Sequence, residues 1–339
     1  MRTTARRRGL ALGAAALLTM PLLAACSTES AEPQAGELIP VEISVLPSVA
    51  TVPVYVGKEE GIFEKYGFDV TISTGQGGAA ILAAVVAGQA QFGFGNSVSL
   101  MQAQEEGLDI VMIANGSLEG DPDNVPENPQ NVVLVPGDSP IETAADLNGK
   151  RVSINSLGNA SELATRVAID KAGGDSSTIE FVQMPIPDSL PALEQGQVDA
   201  IFVIEPFTST ALKDGARAIV APFTESMPDA SASIANYFTS TALAEKSPQL
   251  VADFTAALNE SNLWAQAHPE EMRDAVSRIM GIDRDVVEGM TFPFWTDKFN
   301  LASIEALGDL AVEYGLLKGQ PDYTRLMPAC AQPGGDCIL

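Results

Sequence analysis

The chain has 339 residues and a formal net charge of −25, with 44 acidic against 19 basic side chains and one histidine. So acidic a surface repels phosphate backbones, which excludes nucleic acid as a partner. Hydrophobic residues make up 46% of the chain, enough for a packed core and too many for a disordered one, and the length exceeds what one core organises, so two lobes are expected.

The chain starts with Arg2, Arg6, Arg7 and Arg8, then an apolar run of 15 residues from Gly9 to Leu23, then Ala24-Ala25-Cys26. A charged head, a short apolar segment and small residues before a boundary form a secretory signal, and the run is too short for a spanning helix, which needs about 20 residues. Leu23-Ala24-Ala25-Cys26 resembles the lipobox of bacterial lipoproteins. That resemblance implies a signal peptide over 1–25 and a lipid on Cys26, which would tether the protein to the outer side of the cell membrane. Residues 26–40 are small, polar and turn-prone, and read as a flexible tether.

From Val41 short β-like runs alternate with helical stretches. Strands are expected at 41–46, 69–73, 92–95, 110–114, 132–135, 151–155, 179–183 and 200–204, with a loop at 47–51 and a helix from Val52. This alternation predicts an α/β fold with largely parallel sheets. Ala87-Gly88-Gln89-Ala90-Gln91 ends a helix and feeds a strand, and Gln195-Gly196-Gln197-Val198-Asp199 does the same 108 residues later. Gly88 and Gly196 fit the left-handed position past a helix end, and two copies of one device suggest two lobes of similar build. From Ser247 the pattern is helices only, at 248–268, 269–280, 283–290 and 301–314. Lobe 1 is placed at 41–131 and 243–339, lobe 2 at 132–242. Cys330 and Cys337 flank a Pro333-Gly334-Gly335 turn, and in an oxidising compartment they are expected to form a disulfide that staples the tail.

The segment from Val54 to Val70, VYVGKEEGIFEKYGFDV, strongly resembles the opening helix of the solute-binding proteins that serve nitrate, sulfonate, taurine and thiamine-pyrimidine ABC importers, the NMT1/SsuA-like family. Further matches follow in order at Gly75-Gln76-Gly77-Gly78, Ala87-Gly88-Gln89, 145–152, 192–200 and Glu205-Pro206-Phe207. One departure is Gln91, where the family usually has Asp, expected to alter a surface contact and not the fold. The resemblance implies a two-lobed periplasmic-binding-protein-like (type II) fold with a helical C-terminal segment. It also implies a monomer that captures a small-molecule solute, needs no cofactor, and docks on an ABC permease coupled to a cytoplasmic ATPase. Lobe closure would use hinge strands near 132–135 and 235–239.

In α/β lobes, ligands sit beyond the carboxyl ends of strands, where loops lead into helix N-termini. The loops that qualify are 47–53, 75–79, 95–98, 155–161 and 204–207. They supply Ser48, Thr51, Gln76, Gly77, Gly78, Asn96, Ser97, Asn155, Ser156, Ser161 and Glu205 as ligand-binding candidates. Some have plain local explanations: Thr51 suits a helix N-cap, and Asn159-Ala160-Ser161-Glu162 has capping-box spacing. Glu205 reads either as a solvated strand-end carboxylate or as the acceptor for a ligand donor or cation. None of the five loops contains Lys or Arg, and Arg166 lies further along its helix. The solute is therefore an oxyanion held by helix N-termini, or it is neutral, cationic or heteroaromatic.

Enzyme chemistry finds little footing. His268, the single histidine, precedes Pro269 in the helical tail; the segment Gly95–Ser99 lacks a nucleophile elbow; and no His or Cys cluster offers a metal site. Asp121-Pro122-Asp123-Asn124 departs from calcium-loop spacing and reads as an acidic surface turn. The family also resembles a yeast pyrimidine synthase that consumes its own histidine, chemistry that here would depend on His268. A ligand-binding surface sensor is the other alternative.

Overall fold

The computed structural model describes residues 37–121, 129–227, 231–328 and 337–338. Cys26, Cys330 and Pro122-Asp123-Asn124 lie outside them, as does the side chain of Cys337, so the signal peptide, the lipid anchor, the disulfide and most of the acidic turn fall outside the described structure. The first described strand starts at Ile39, whose N–H donates to Gly67 O at 2.8 Å, so the strand takes up the last two residues assigned to the tether.

The first half runs β1 (Ile39–Val45), α1 (Val52–Glu59), α2 (Ile62–Lys65), β2 (Phe68–Thr74), α3 (Gly78–Val86), β3 (Phe92–Asn96), α4 (Ser97–Glu105) and β4 (Ile110–Leu118). The chain then crosses to a second sheet: β5 (Val132–Val135), β6 (Arg151–Ile154), α5 (Ala160–Lys171), β7 (Glu180–Gln183), α6 (Ile186–Glu194), β8 (Ala200–Val203), α7 (Phe207–Lys213), β9 (Arg217–Val220) and α8 (Pro222–Ser226). It returns through β10 (Ser233–Ser240) to α9 (Thr241–Lys246), α10 (Pro248–Ala267), α11 (Pro269–Met280), α12 (Arg284–Glu288), β11 (Phe299–Asn300), α13 (Leu301–Glu313), α14 (Tyr323–Leu326) and β12 (Cys337–Ile338).

The two sheets share one plan. Their orders are β2-β1-β3-β10-β4 and β7-β6-β8-β5-β9, each with a single antiparallel strand in fourth place. Helices cover both faces, which is why β4, β5 and β8 are buried at every position and β5 and β8 read as unbroken apolar runs. The repeated turn is real: Gly88 has φ 70° and Gly196 φ 66°, and each lets the next N–H reach back to the helix, Gln89 to Ala84 O and Gln197 to Ala192 O, both at 2.9 Å.

Three expectations change. The segment 233–240 belongs to the first sheet, because β10 pairs antiparallel with β3 and β4, so the second lobe ends before residue 242. The segments 132–135 and 235–239, named as hinge strands, are interior strands bonded on both sides, and the chain crosses between sheets just ahead of each. The tail is not helical throughout, since β11 pairs in parallel with β12, and β9 was not anticipated. The tail helix α10 docks under the first sheet as expected, with Phe254 stacked on Phe92 at 3.8 Å and edge-on to Phe68. By contrast α13 packs between α4 and α5, and just past it Tyr314 Oη donates to Asp170 Oδ2 at 2.9 Å.

Candidate ligand-binding cleft

The carboxyl ends of the central strands of both sheets face a cavity of about 60 Å³. A water needs roughly 10–15 Å³ on the same measure, so the space suits a compact group of a few non-hydrogen atoms. Its walls come from both halves: Leu46, Ser48, Ala50, Gly78, Phe94, Asn96, Ser117, Ile234 and Ala235 from the first, and Gln130, Asn131, Asn155, Asn159, Ser161, Phe202, Ile204 and Glu205 from the crossing and the second. No Lys, Arg or His lines it.

Two hydrogen bonds span the cleft, one from each strand end. Asn96, closing β3, accepts the Ser99 N–H at 2.9 Å on Oδ1, which caps α4. The same oxygen accepts the Ala160 N–H at 3.2 Å, at the start of α5 in the other half. Glu205, just past β8, accepts the Val49 N–H at 3.2 Å on its backbone oxygen. Its carboxylate turns instead to α7, accepting Ser209 N–H at 3.1 Å and Ser209 Oγ–H at 2.7 Å. Burial pushes this carboxyl up to about 7, against those two bonds, which favour the ionised form.

Ser48, Gly78, Asn96, Asn155, Ser161 and Glu205 all line the cavity. Gln76, Gly77 and Ser156 do not; with Asn155 they border an adjoining, more open depression of about 290 Å³. Thr51 is buried, its Oγ1 donating to Leu46 O at 2.8 Å and Ser48 O at 3.0 Å, so it braces the β1 loop and faces no cavity. Ser97 is likewise internal: its Oγ donates to Ser233 O at 2.8 Å and accepts from Asn236 Nδ2 at 3.0 Å. Position 97 opens α4, and helical geometry turns its side chain towards β10 while its neighbour Asn96 keeps the cleft.

Asn159 does two things. Its Oδ1 accepts the Glu162 N–H at 2.9 Å, the predicted cap, while its Nδ2 reaches along the cavity wall to Asn155 Oδ1 at 2.9 Å. Glu162 returns its carboxylate to the Gly158 N–H at 2.8 Å, one residue before the position a capping box uses. Arg166 stays out of the cleft, bound to Glu162 Oε1 at 2.8 Å and Ser176 O at 2.9 Å with its guanidinium over Phe181. His268 stacks on Trp264 and holds its carbonyl oxygen at 2.7 Å, away from the cavity. Among the described residues no group of His, Cys, Asp and Glu is placed to hold a metal, and no helix is long and apolar enough to cross a membrane.

Gln130, Asn131 and Ser117 escaped sequence reasoning. The signal was present in Gln130-Asn131 standing directly before the apolar run Val132–Val135, but the strand-end rule for parallel sheets points to the loops that follow strands and not to strand starts. An antiparallel β5 brings its start, and not its end, to the cleft.

Residues 49–272 match the family model described as NMT1/THI5 like. The chain belongs to that family. Among curated relatives, an Escherichia coli (strain K12) protein named for aliphatic sulfonate binding is 24% identical over 210 residues, 62% of either chain, so the match spans about three fifths of that relative's length. A Bacillus subtilis (strain 168) protein named likewise is 24% identical over 276 residues, 79% of this chain and 78% of its own. Among solved structures, the alkanesulfonate-binding protein SsuA from Xanthomonas axonopodis pv. citri, bound to MOPS, aligns with TM-score 0.71 and 20% identity, covering 86% of this chain and 98% of that one. The periplasmic nitrate-binding protein NrtA from Synechocystis PCC 6803 aligns with TM-score 0.70 and 13% identity over 86% of each. These likenesses establish the periplasmic-binding-protein fold in this NMT1/THI5-like chain.

Proposed function

We propose that the protein is an extracytoplasmic solute receptor of an ABC importer. A compact organic solute or oxyanion enters the cleft between the two sheets, and the closed, loaded form docks as a monomer on a permease driven by a cytoplasmic ATPase. The observation that carries this reading is the cavity itself, walled by both halves and crossed by the Asn96–Ala160 and Val49–Glu205 bonds. A ligand touching both walls gains its full contacts only when the halves are together, which is what drives closure. The lobes are 39–118 with 233 onward, and 132–226, joined by two crossings. Lipid on Cys26 holds the receptor at the membrane, and binding without covalent chemistry suits a cavity that lacks histidine and any metal ligand cluster. The sulfonate- and nitrate-binding names of the relatives support the solute range.

A thermal-shift screen against alkanesulfonates, taurine, nitrate, aminopyrimidines and aromatic carboxylates tests the reading. A solute at 100 times its dissociation constant adds about 2.7 kcal/mol, a clear shift in melting temperature. Stabilisation by one chemical class, with uptake of that class lost on deleting the gene, is the expected result; stabilisation without any uptake defect contradicts transport. Lipid labelling that persists in Cys26→Ala would refute the anchor.

A further inference from the structure

Helix α13 is gripped from two sides, away from the cleft. Only Ala302, Glu305, Asp309 and Glu313 are exposed along it, three or four residues apart and hence on one narrow stripe, and every other position is at least half covered. A helix that lies on a single neighbour leaves a broad polar face in water. This one is wedged between α4 of the first half and α5 of the second. Ile304, Leu307 and Ala311 share one apolar core with Met101 of α4 and with Leu163 and Val167 of α5.

The two grips differ. Towards the first half the tail is bonded along its length: Gln102 Nε2 donates to Leu316 O at 3.2 Å and Gln104 Nε2 to Asp322 O at 3.0 Å, while Glu105 Oε1 accepts the Lys318 N–H at 2.6 Å and Gln104 Oε1 the Asp322 N–H at 3.0 Å. Towards the second half it offers apolar contact and, at the solvent edge, the Tyr314 Oη bond to Asp170 Oδ2 at 2.9 Å. Just beyond, Leu316 lies against the loop that opens α5: a carbon added to Gly158 would stand 3.7 Å from Leu316 Cδ2 and 3.4 Å from Gln102 Nε2. An element held this way moves with the first half and can release the second. On the opposite flank α12 meets α7 through the exposed pair Lys213 Nζ and Asp283 Oδ2 at 3.8 Å, which water screens.

We infer that the C-terminal segment from α13 to Leu316 is a strap that holds the two halves together before any solute binds, and so sets from outside the cleft how readily the cleft closes. Contacts made only while the halves are together raise the closed population, and the apparent affinity for every solute rises with that population by a common factor. No residue of the strap lines the cavity, so it governs how tightly solutes bind and not which of them does. The inference rests on the receptor reading only in that the halves part and rejoin; it is independent of the solute's identity.

Two amides report the closed state directly. The Ala160 and Val49 N–H groups stand at helix starts, where no intrahelical acceptor is available, and their bonds run across the cleft to Asn96 and Glu205. Their hydrogen exchange therefore measures the parting of the halves. The rates are read by NMR, without solute, in the wild type, Tyr314→Phe, Tyr314→Phe/Leu316→Ala and Tyr323→Phe. Tyr323 is the control, because its Oη donates inside the tail, to Glu305 O at 3.4 Å. The double variant, lacking one hydrogen bond and one apolar contact, is expected to exchange about tenfold faster at both amides. Tyr314→Phe alone, which removes a hydroxyl at the solvent edge and leaves the fold intact, gives about twofold. Tyr323→Phe, and amides inside β1 and β3 in every variant, keep wild-type rates. Unchanged rates at Ala160 and Val49 overturn the strap. An equal rise in Tyr323→Phe, or the same rise inside β1 and β3, also overturns it, because the tail then acts on the stability of the first half and not on the contact between halves. None of these outcomes bears on the solute screen, which judges the receptor reading separately.

Discussion

Asn96 and Glu205 occupy comparable places in the two halves, Asn96 closing β3 and Glu205 two residues past β8, the third-placed strands of the two sheets, and the structure uses them in opposite ways. Both side chains accept an N–H from the first turn of the helix that follows, and both residues accept an N–H from the other half, Asn96 from Ala160 and Glu205 from Val49. Asn96 does both with one side-chain oxygen, whereas Glu205 crosses the cleft with its backbone and keeps its carboxylate for α7 and the cavity. One half therefore contributes a neutral amide already saturated on its oxygen, the other a titratable group. Two similar scaffolds can present different chemistry to one ligand because the scaffold needs only a hydrogen-bond acceptor at that position, and either residue type supplies it.

The largest consequence is a pH dependence carried by buried carboxyls and not by the Asn96 amide. Glu205 lies near 7 and Glu119 near 8, both pushed up by burial from 4.5, so the folded state keeps protons that the unfolded chain releases. Their contribution to stability is greatest below about 4.5, declines as pH rises through the folded values, and is level above 8. Glu205→Gln should flatten the part of the decline that ends near 7 by on the order of 3 kcal/mol, measured by urea unfolding between pH 5 and 8. An unchanged slope would place Glu205 in water. Asn96→Ala comes next: losing a cap and a cleft-spanning bond should cost about 1–2 kcal/mol with no change in pH slope, and a larger radius of gyration in scattering would show that the bond holds the halves together.

Smaller effects probe how alike the halves are. Gly88→Ala and Gly196→Ala meet no atom within 4 Å at the added carbon, so each should cost only the left-handed backbone penalty, about 1 kcal/mol, and by equal amounts. Unequal costs would mean that the two turns are not the same device. Smallest is Gln91→Asp. Gln91 Oε1 accepts the Glu42 N–H at 2.8 Å, and at the equivalent place Asp199 Oδ2 accepts the Arg151 N–H at 2.8 Å. Amide and carboxylate perform one task, tying the turn to the neighbouring strand, so the melting temperature should hardly move.

The same contrast explains what could be read from the chain. Gly88 and Gly196, the runs at 132–135 and 200–203 and the tail helices were legible because each depends on local backbone preference or periodicity. The membership of β10 was not, since pairing with β3 and β4 is decided by contacts far away in the chain. At the cleft, Asn96, Asn155, Ser161 and Glu205 follow from the strand-end rule, whereas Ser97 and Thr51 fail it because side-chain direction turns them inward. Gln130 and Asn131 were hidden because an antiparallel strand reverses which of its ends reaches the site.

The central claim is that a solute occupies the space shared by the two halves. Calorimetric titration of the wild type and of Ser161→Trp with taurine, ethanesulfonate, nitrate and 4-aminopyrimidine tests it most directly, since Ser161 opens α5 at the cavity wall and an indole there fills the space. The account predicts binding by the wild type and none by Ser161→Trp, with the melting temperature of the unliganded protein little changed. Equal binding by both would place the solute elsewhere and contradict the account.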